Sequence, residues 1–130
     1  MPAAPITGLY ASLCAIIMVA LASRVAHIRW QTGAGVGETG DKRLARAIRS
    51  HSDAVEYIPI AVILLLVAEL NGSNHALLHA CGIILVAARI AHAIGLLGSA
   101  GVSAGRVIGV GCTVAVIGVL AVVDLSTIVL

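Results

Sequence analysis

The sequence predicts an all-α integral membrane protein, a single four-helix transmembrane bundle that occupies residues 1–130. Hydrophobic residues make up 60% of the chain and charged residues only 11%, whereas soluble domains carry roughly 25% charged residues. Four apolar blocks approach the roughly 20 residues that a helix needs to cross a bilayer, and four β-strands could not close a barrel. This composition excludes a nucleic-acid-binding domain, a secreted disulfide scaffold and a disordered tail.

The first two predicted spans differ in their charge. The first is uncharged from Ile6 to Ser23, and its arginines follow the apolar stretch instead of preceding it. We therefore expect a retained helix and not a cleaved signal peptide. The second span must carry Asp53 and Glu56 inside it to reach its full length. The Gly-rich segment 31–41 between the two spans is typical of a polar loop.

The third and fourth predicted spans also carry ionisable residues. Residues 71–74 form the second turn, and the span that follows carries Arg89. A weakly polar connection at 98–101 leads to the fourth span, which begins at Arg106 and has Asp124 near its end. The four spans cover about residues 6–28, 47–70, 76–97 and 106–129.

All basic residues fall on one side of a chain that crosses the membrane four times. The positive-inside rule predicts that the first and third loops lie in the cytoplasm and that both termini lie outside. Compact loops and helices rich in Ala, Val and Gly are typical of a bacterial protein, so we expect the inner membrane. The basic residues are Arg24, Arg29, Lys42, Arg43, Arg46, Arg49, Arg89 and Arg106.

The cysteines and the outer histidines predict no metal centre. Cys14, Cys81 and Cys112 each stand alone in an apolar span, which is typical of small residues that pack in a core or face lipid. His75 and His79 are four residues apart and could face one metal ion, but no third ligand of the right kind accompanies them. We interpret them as a histidine pair at the membrane interface.

A stripe of ionisable residues on the second span predicts a pocket. It covers about 80 degrees of an ideal helix and holds two cations below two anions. An ionisable side chain inside a span costs roughly 3 kcal/mol unless it is paired or faces a wet cavity, so the stripe needs partners. Its residues are Arg46, Arg49, Asp53 and Glu56.

Two interpretations of this stripe remain open. Arg89 and His92 are neighbours on the third span, Arg106 opens the fourth, and all three lie in the same half of the bundle as the stripe. One interpretation is an internal network of salt bridges, with Glu56 against Arg89 as the simplest pair. In the other, four arginines against two carboxylates leave an excess of cation that suits a small anionic ligand with carboxylates and an ionisable thiol.

Three segments resemble the MAPEG family, the membrane-associated proteins in eicosanoid and glutathione metabolism. Residues 46–59, RAIRSHSDAVEYIP, are similar to the second-helix signature of that family, which has an Arg, then Asn, then Glu three residues further on, commonly followed by Tyr-x-Pro. Arg89 and His92 are similar to its third-helix Arg-x-x-His element, and Arg106 is similar to the arginine that begins its fourth helix. The likeness covers nearly the whole chain.

The resemblance implies a homotrimer that binds glutathione, as co-substrate, between neighbouring subunits. The implied activity is that of a transferase or peroxidase acting on lipophilic electrophiles or lipid hydroperoxides. Arg106 would stabilise the glutathione thiolate, because a cation beside a thiol of pKa roughly 8.5 favours the thiolate. The other implied ligand-binding residues are Arg24, Arg46, Arg49, Asp53, Glu56, Tyr57, Arg89 and His92.

Four positions depart from the family pattern. Asp53 stands where the family usually has Asn, and its anionic carboxylate would repel a ligand carboxylate unless it meets the ligand's ammonium group. Leu96 stands where the eicosanoid enzymes often have Tyr, and Val107 and Val110 replace hydroxyl residues, so prostaglandin-type isomerisation loses support. The alternative function is a non-catalytic lipid-binding or scaffold membrane protein of the same family.

Overall fold

The protein is an all-helical bundle in the computed structural model, which describes residues 1–99 and 101–130. No strand occurs in these residues, so the predicted all-α class is confirmed. Three helices, α1, α3 and α4, are long and apolar enough to cross a membrane. The four helices are α1 (Pro5–Thr32), α2 (Lys42–Leu70), α3 (His75–Gly98) and α4 (Ala104–Val129).

The ends of the helices are set by local capping residues. Gly33 ends α1 with φ of +69°, in the left-handed region that glycine adopts without strain. The Asp41 carboxylate accepts hydrogen bonds from the backbone N–H groups of Arg43 and Leu44 at the start of α2. Asn74 caps α3 in the same way. The predicted connection 98–101 includes residue 100, which lies outside the described residues.

The start of α1 is capped by a residue from another helix. Ala4 precedes α1 and has no side chain that could accept a hydrogen bond. The carboxylate of Glu69, near the end of α2, accepts hydrogen bonds from the backbone N–H groups of Ile6 (2.9 Å) and Thr7 (2.6 Å). The cap satisfies donors that have no partner within α1 and fixes the end of α2 against the start of α1.

The helices α2 and α3 lie at the centre of the bundle, because each of them contacts all three other helices. The helices α3 and α4 pack most extensively, whereas α1 and α4 do not meet within the described residues. Gly109 allows the close approach of α3 and α4, since a Cβ there would lie 2.6 Å from the carbonyl oxygen of Ala88. The core includes Cys14, Leu65, Leu78, Leu85 and Leu120.

The basic residues and Asp53 lie toward one end of this bundle, whereas Glu69, His75, His79 and Asp124 lie toward the other. The basic end combines the end of α1, the start of α2, the end of α3 and the start of α4. Aliphatic side chains cover much of the outer surface of the same helices, such as Ile16 on α1, which is 66% exposed, and Val122 on α4, which is 67% exposed. Such a surface is suited to lipid contact.

Candidate functional site

A cleft of about 530 Å³ opens among α2, α3 and α4 at the basic end of the bundle. One of its walls is polar and comes from three helices, and the other is formed by aliphatic residues around the start of α4. The polar wall consists of Arg49, Asp53, Tyr57, His92 and Arg106. The apolar wall includes Val102, Val107 and Val110.

Asp53 is the centre of the polar wall. Its Oδ2 lies 2.8 Å from Nε2 of His92, and both side chains are about 95% buried. Its Oδ1 lies 2.9 Å from Nη2 of Arg49 on the next turn of α2, an ion pair in which the arginine is largely exposed. Asp53 therefore connects a buried group on α3 to a cation at the mouth of the cleft.

The start of α4 brings Arg106 to the cleft. The backbone N–H of Arg106 donates to the side-chain hydroxyl of Ser103, the residue that caps α4. Its guanidinium donates a hydrogen bond of 2.8 Å to the carbonyl of Gly101. Its own carbonyl oxygen lies 3.3 Å from Nδ1 of His92. The side-chain charge and the positive end of the helix dipole lie together, which favours an anion at this position.

Arg89 lies behind the cleft and is almost fully buried, with 2% of its surface exposed. Its Nη2 donates a hydrogen bond of 3.1 Å to the carbonyl of Gly109, and its guanidinium carbon lies 5.4 Å from the centre of the Tyr57 ring. Its Nε and Nη1 are buried and have no hydrogen-bond partner among the described residues. Arg89 thus supports Tyr57 from the interior and does not line the cleft.

Besides Arg89, three of the predicted ligand-binding residues lie outside the cleft. Glu56 and Arg24 are exposed on the outer surface of a single chain. A third, Arg46, is half-buried, and its Nε has no hydrogen-bond partner in the described part of the chain. Glu56 and Arg89 do not form a salt bridge within one chain, because Glu56 is exposed and Arg89 is buried. The pair that the salt-bridge interpretation took as the simplest is therefore wrong for a single subunit. The carboxylate that is buried at the cleft is that of Asp53 instead.

The packing face of α2 explains why Glu56 points outward. Small buried residues define that face at Ser50, Ala54 and Ala61. At 100 degrees per residue, Asp53 lies at the edge of this face, whereas Glu56 lies about 140 degrees from its centre. The small residues were the sequence signal that would have identified the inward face, and the stripe of charges alone did not.

The outer histidines and Leu96 do not line the cleft. Nδ1 of His79 and the hydroxyl of Tyr10 form a hydrogen bond of 2.8 Å. His75 is exposed. Leu96 is buried and does not line the cleft. Among the residues described, no group of three or more His, Cys, Asp or Glu could hold a metal ion.

A second depression, of about 310 Å³, lies between α3 and α4 on the other side of α4. Its lining is almost entirely apolar and includes the partly buried Cys112 and the buried Cys81. Leu77 and Ile84 of α3 and Ala115 and Val119 of α4 complete most of its walls. No charged side chain lines it, so it suits a hydrocarbon chain and not a polar ligand.

Known proteins support the membrane assignment. The sequence profile of the MAPEG family matches residues 7–125. Two similar proteins, from two strains of Escherichia coli, are both named inner membrane protein YecN. Each is 41% identical to this chain over 87 residues, which cover 67% of this chain and 66% of the relative. The match thus spans slightly less than two thirds of these relatives, and their name specifies a location but no activity.

Proposed function

This chain belongs to the MAPEG family, and on that premise we propose that it is a membrane-bound, glutathione-dependent transferase or peroxidase. Its substrates would be lipophilic electrophiles or lipid hydroperoxides. The observation that carries the proposal is the amphipathic cleft, in which Arg49, His92 and Arg106 face an aliphatic wall. The cationic side suits the carboxylates and thiolate of glutathione, and the aliphatic side suits an apolar co-substrate.

The protein is an integral membrane protein, and we propose the bacterial inner membrane as its location. We further propose that α2 crosses the bilayer with the three apolar helices, because it is as long as they are and packs against all of them. The basic end would then face the cytoplasm and both termini would lie outside, in line with the positive-inside rule. The cleft would be accessible to cytoplasmic glutathione.

In this proposal Arg106 acts on the sulfur of glutathione. The glutathione thiolate would form a bond to an electrophilic carbon and displace a leaving group, which is chloride for a chloronitrobenzene. With a lipid hydroperoxide it would take the terminal oxygen as the O–O bond breaks and an alcohol leaves, and a second glutathione would convert the resulting sulfenic acid to the disulfide with loss of water. Arg106 remains charged at any ordinary pH, so it stabilises the thiolate relative to the thiol. Arg49 at the mouth of the cleft would hold a carboxylate of the ligand, and Tyr57 would offer a hydroxyl hydrogen bond. Electrostatic stabilisation at a fixed position requires no reorganisation during the reaction.

We propose that the protein works as a homotrimer, as the family resemblance implies. Glu56 and Arg24 are exposed on helices whose surroundings would be lipid in a single chain. A charged side chain in that position is costly unless another group covers or pairs with it. If a neighbouring subunit packs over this surface, Glu56 and Arg24 would lie at the interface between the two subunits. They could then contact a ligand bound there and complete the predicted set of ligand-binding residues.

The proposal is tested by adding glutathione to the purified protein in mild detergent. We expect an increase in ultraviolet thiolate absorbance on binding, and conjugation of glutathione to a chloronitrobenzene at a rate above that of the protein-free reaction. Binding without either signal would contradict a catalytic role and leave only ligand binding. Failure of glutathione to bind at all would contradict the proposed function as a whole.

The second candidate is a non-catalytic lipid-binding or scaffold protein, and the apolar depression between α3 and α4 favours it. A lipid acyl chain would fit a wall formed by Leu77, Ile84 and Val119 without burying any polar group. Co-purified lipid that protects Cys112 from a thiol reagent, in a protein that does not bind glutathione, would support this candidate over the enzyme.

A further inference from the structure

Asp124 carries a carboxyl group that is buried at the end of α4 remote from the cleft. Its side chain continues the inward-facing line of Val116 and Leu120, which belong to the core, and only 6% of the residue is exposed. Both carboxyl oxygens are buried, and neither has a hydrogen-bond partner among the described residues. The glutathione site proposed above makes no use of this group.

The helices that pack against α4 bring no charge to this carboxyl. Within the described residues α4 contacts α2 and α3 but not α1. At the same end of the bundle, Glu69 on α2 accepts hydrogen bonds from the start of α1, and His79 on α3 is hydrogen-bonded to a tyrosine of α1. His75 on α3 is exposed, and Cys81 carries an uncharged thiol. In the part of the chain that the structure describes, no charged side chain acts on the carboxyl of Asp124.

An ionised carboxylate in this position would be strongly unfavourable. A buried charge is costly unless it is paired and hydrogen-bonded, and an isolated carboxyl avoids that cost when it keeps its proton. A neighbouring subunit or a lipid headgroup could not supply the partner, because the chain itself covers both oxygens of Asp124. The packing of a single chain therefore favours the neutral acid.

We propose that Asp124 is a proton-binding site: the folded protein holds it as a neutral carboxylic acid at neutral pH, and loss of its proton releases the end of α4 from α2 and α3. In an opened or unfolded chain the carboxyl meets water and ionises above a pH of about 3.9. The folded state thus binds one proton more than the open state, so its stability falls as the pH rises above that value. In the orientation proposed above, this proton exchanges with the solution outside the membrane. The inference does not depend on the proposed activity.

Infrared spectroscopy of the purified protein in mild detergent tests the state of Asp124. We expect the parent at neutral pH to show the carbonyl band of a protonated carboxyl, and we expect Asp124→Asn to lose that band. Glu69→Gln is the matched control at the same end of the bundle. It should keep the band, because the Glu69 carboxylate accepts two backbone N–H hydrogen bonds and contributes no protonated carboxyl.

Amide exchange at Leu120, one turn before Asp124, provides the second readout. An opening that exposes Asp124 releases one proton, so the equilibrium constant for opening should rise about tenfold per pH unit until the folded carboxyl also ionises. Asp124→Asn has no proton to release. We therefore expect exchange in the parent to accelerate by about this factor per pH unit relative to the variant, since the intrinsic pH dependence of exchange is the same in both proteins.

Asp124→Leu keeps the inference testable if the Asn variant does not fold. Leucine has nearly the shape of aspartate and removes both the proton and the charge, so at neutral pH this variant should unfold at a temperature equal to or above that of the parent. Three outcomes would overturn the inference. They are the absence of a band that Asp124→Asn removes, parallel pH profiles of exchange in the parent and Asp124→Asn, and an Asp124→Leu variant that unfolds at a clearly lower temperature than the parent. Each would mean that Asp124 is an ionised carboxylate with a stabilising partner.

Discussion

At the scale of single residues, the two arginines of the cleft are expected to contribute to different steps. Arg106 lies at the positive end of α4, where its charge and the helix dipole act on the same anion. Arg49 is largely exposed at the mouth and is already paired with Asp53. A residue that stabilises a developing or bound thiolate affects turnover, whereas one that holds a distant carboxylate affects ground-state binding.

We predict that Arg106→Leu lowers kcat for conjugation of a chloronitrobenzene by about 100-fold with a smaller effect on glutathione affinity, in the range found when one stabilising charge donor is removed. Arg49→Leu should raise KM for glutathione about tenfold and leave kcat nearly unchanged. Steady-state kinetics of both variants in the same detergent measure the two effects. Equal activity of the parent and Arg106→Leu would mean that Arg106 only anchors α4 at the membrane surface.

At the scale of helices, the contact between α3 and α4 determines whether the cleft keeps its shape. A Cβ on Gly109 would lie 2.6 Å from the carbonyl oxygen of Ala88 and 2.6 Å from Cβ of His92, so neither side could yield without a backbone shift. The same contact brings the Arg106 carbonyl within reach of His92. A substitution at Gly109 that separates α3 from α4 would therefore also move Arg106 away from His92.

We predict that Gly109→Ala destabilises the protein by about 1–3 kcal/mol, the usual cost of adding a carbon to a filled contact. Gly118→Ala is the matched control on the same helix, because a Cβ there meets nothing within 4 Å. It should leave stability unchanged or raise it by up to about 1 kcal/mol, since Ala is the better helix former. Thermal unfolding in detergent distinguishes the two variants, and equal midpoints would show that α3 and α4 can separate at no cost.

The start of α2 should respond to acid through Asp41. The hydrogen bond from the Arg43 side chain, together with those from the backbone N–H groups of Arg43 and Leu44, lowers the pKa of Asp41 below its usual value. Its cap therefore contributes stability at any pH above the unfolded value of about 3.9, and that contribution is lost as the pH falls through the lower folded value. We predict that Asp41→Asn, which caps without a charge, removes this part of the acid dependence. Amide exchange at Leu44 as a function of pH measures it, and identical profiles would contradict the role of Asp41.

The sequence determined the existence of the helices better than their ends and faces. Each predicted span lies within one observed helix, because apolar length is what both a bilayer and a bundle require. However, α1 continues to Thr32 and α2 begins at Lys42. Gly33 and Asp41 are the actual caps, and the polar residues before Gly33 and after Asp41 still fit a helix. Glu69 as the cap of α1 could not be foreseen, because it comes from 62 or more residues away in the chain.

At the scale of the whole molecule, the charged residues fall into two groups. Some line the cleft of a single chain, and others lie on its outer surface, where only a neighbouring subunit could cover them. The sequence grouped Arg49, Asp53, His92 and Arg106, and these four residues do line one cleft. It also included Arg24, which is exposed on α1, and Glu56, which faces outward because the small-residue face of α2 turns Asp53 inward and not Glu56. The surroundings of an outward charge depend on a neighbouring copy, which the sequence of one chain does not describe.

An outward carboxylate on a central helix gives the last prediction. If three copies assemble so that Glu56 of one chain is covered by the next, Glu56→Gln keeps the shape of the side chain but removes the charge that balances neighbouring arginines. We therefore expect the variant to bind glutathione about tenfold more weakly, as for the loss of one charge-assisted hydrogen bond. We also expect its oligomers to dissociate at a lower temperature than those of the parent, because a buried cation would lose its partner.

Native mass spectrometry in mild detergent measures the oligomeric state, and calorimetry measures the affinity for glutathione. Glu38→Gln in the exposed loop after α1 serves as the control with the same change of charge. A parent that is only monomeric, or a Glu56→Gln variant equal to the parent in both measurements, would mean that Glu56 is a surface carboxylate and that no neighbouring chain covers it.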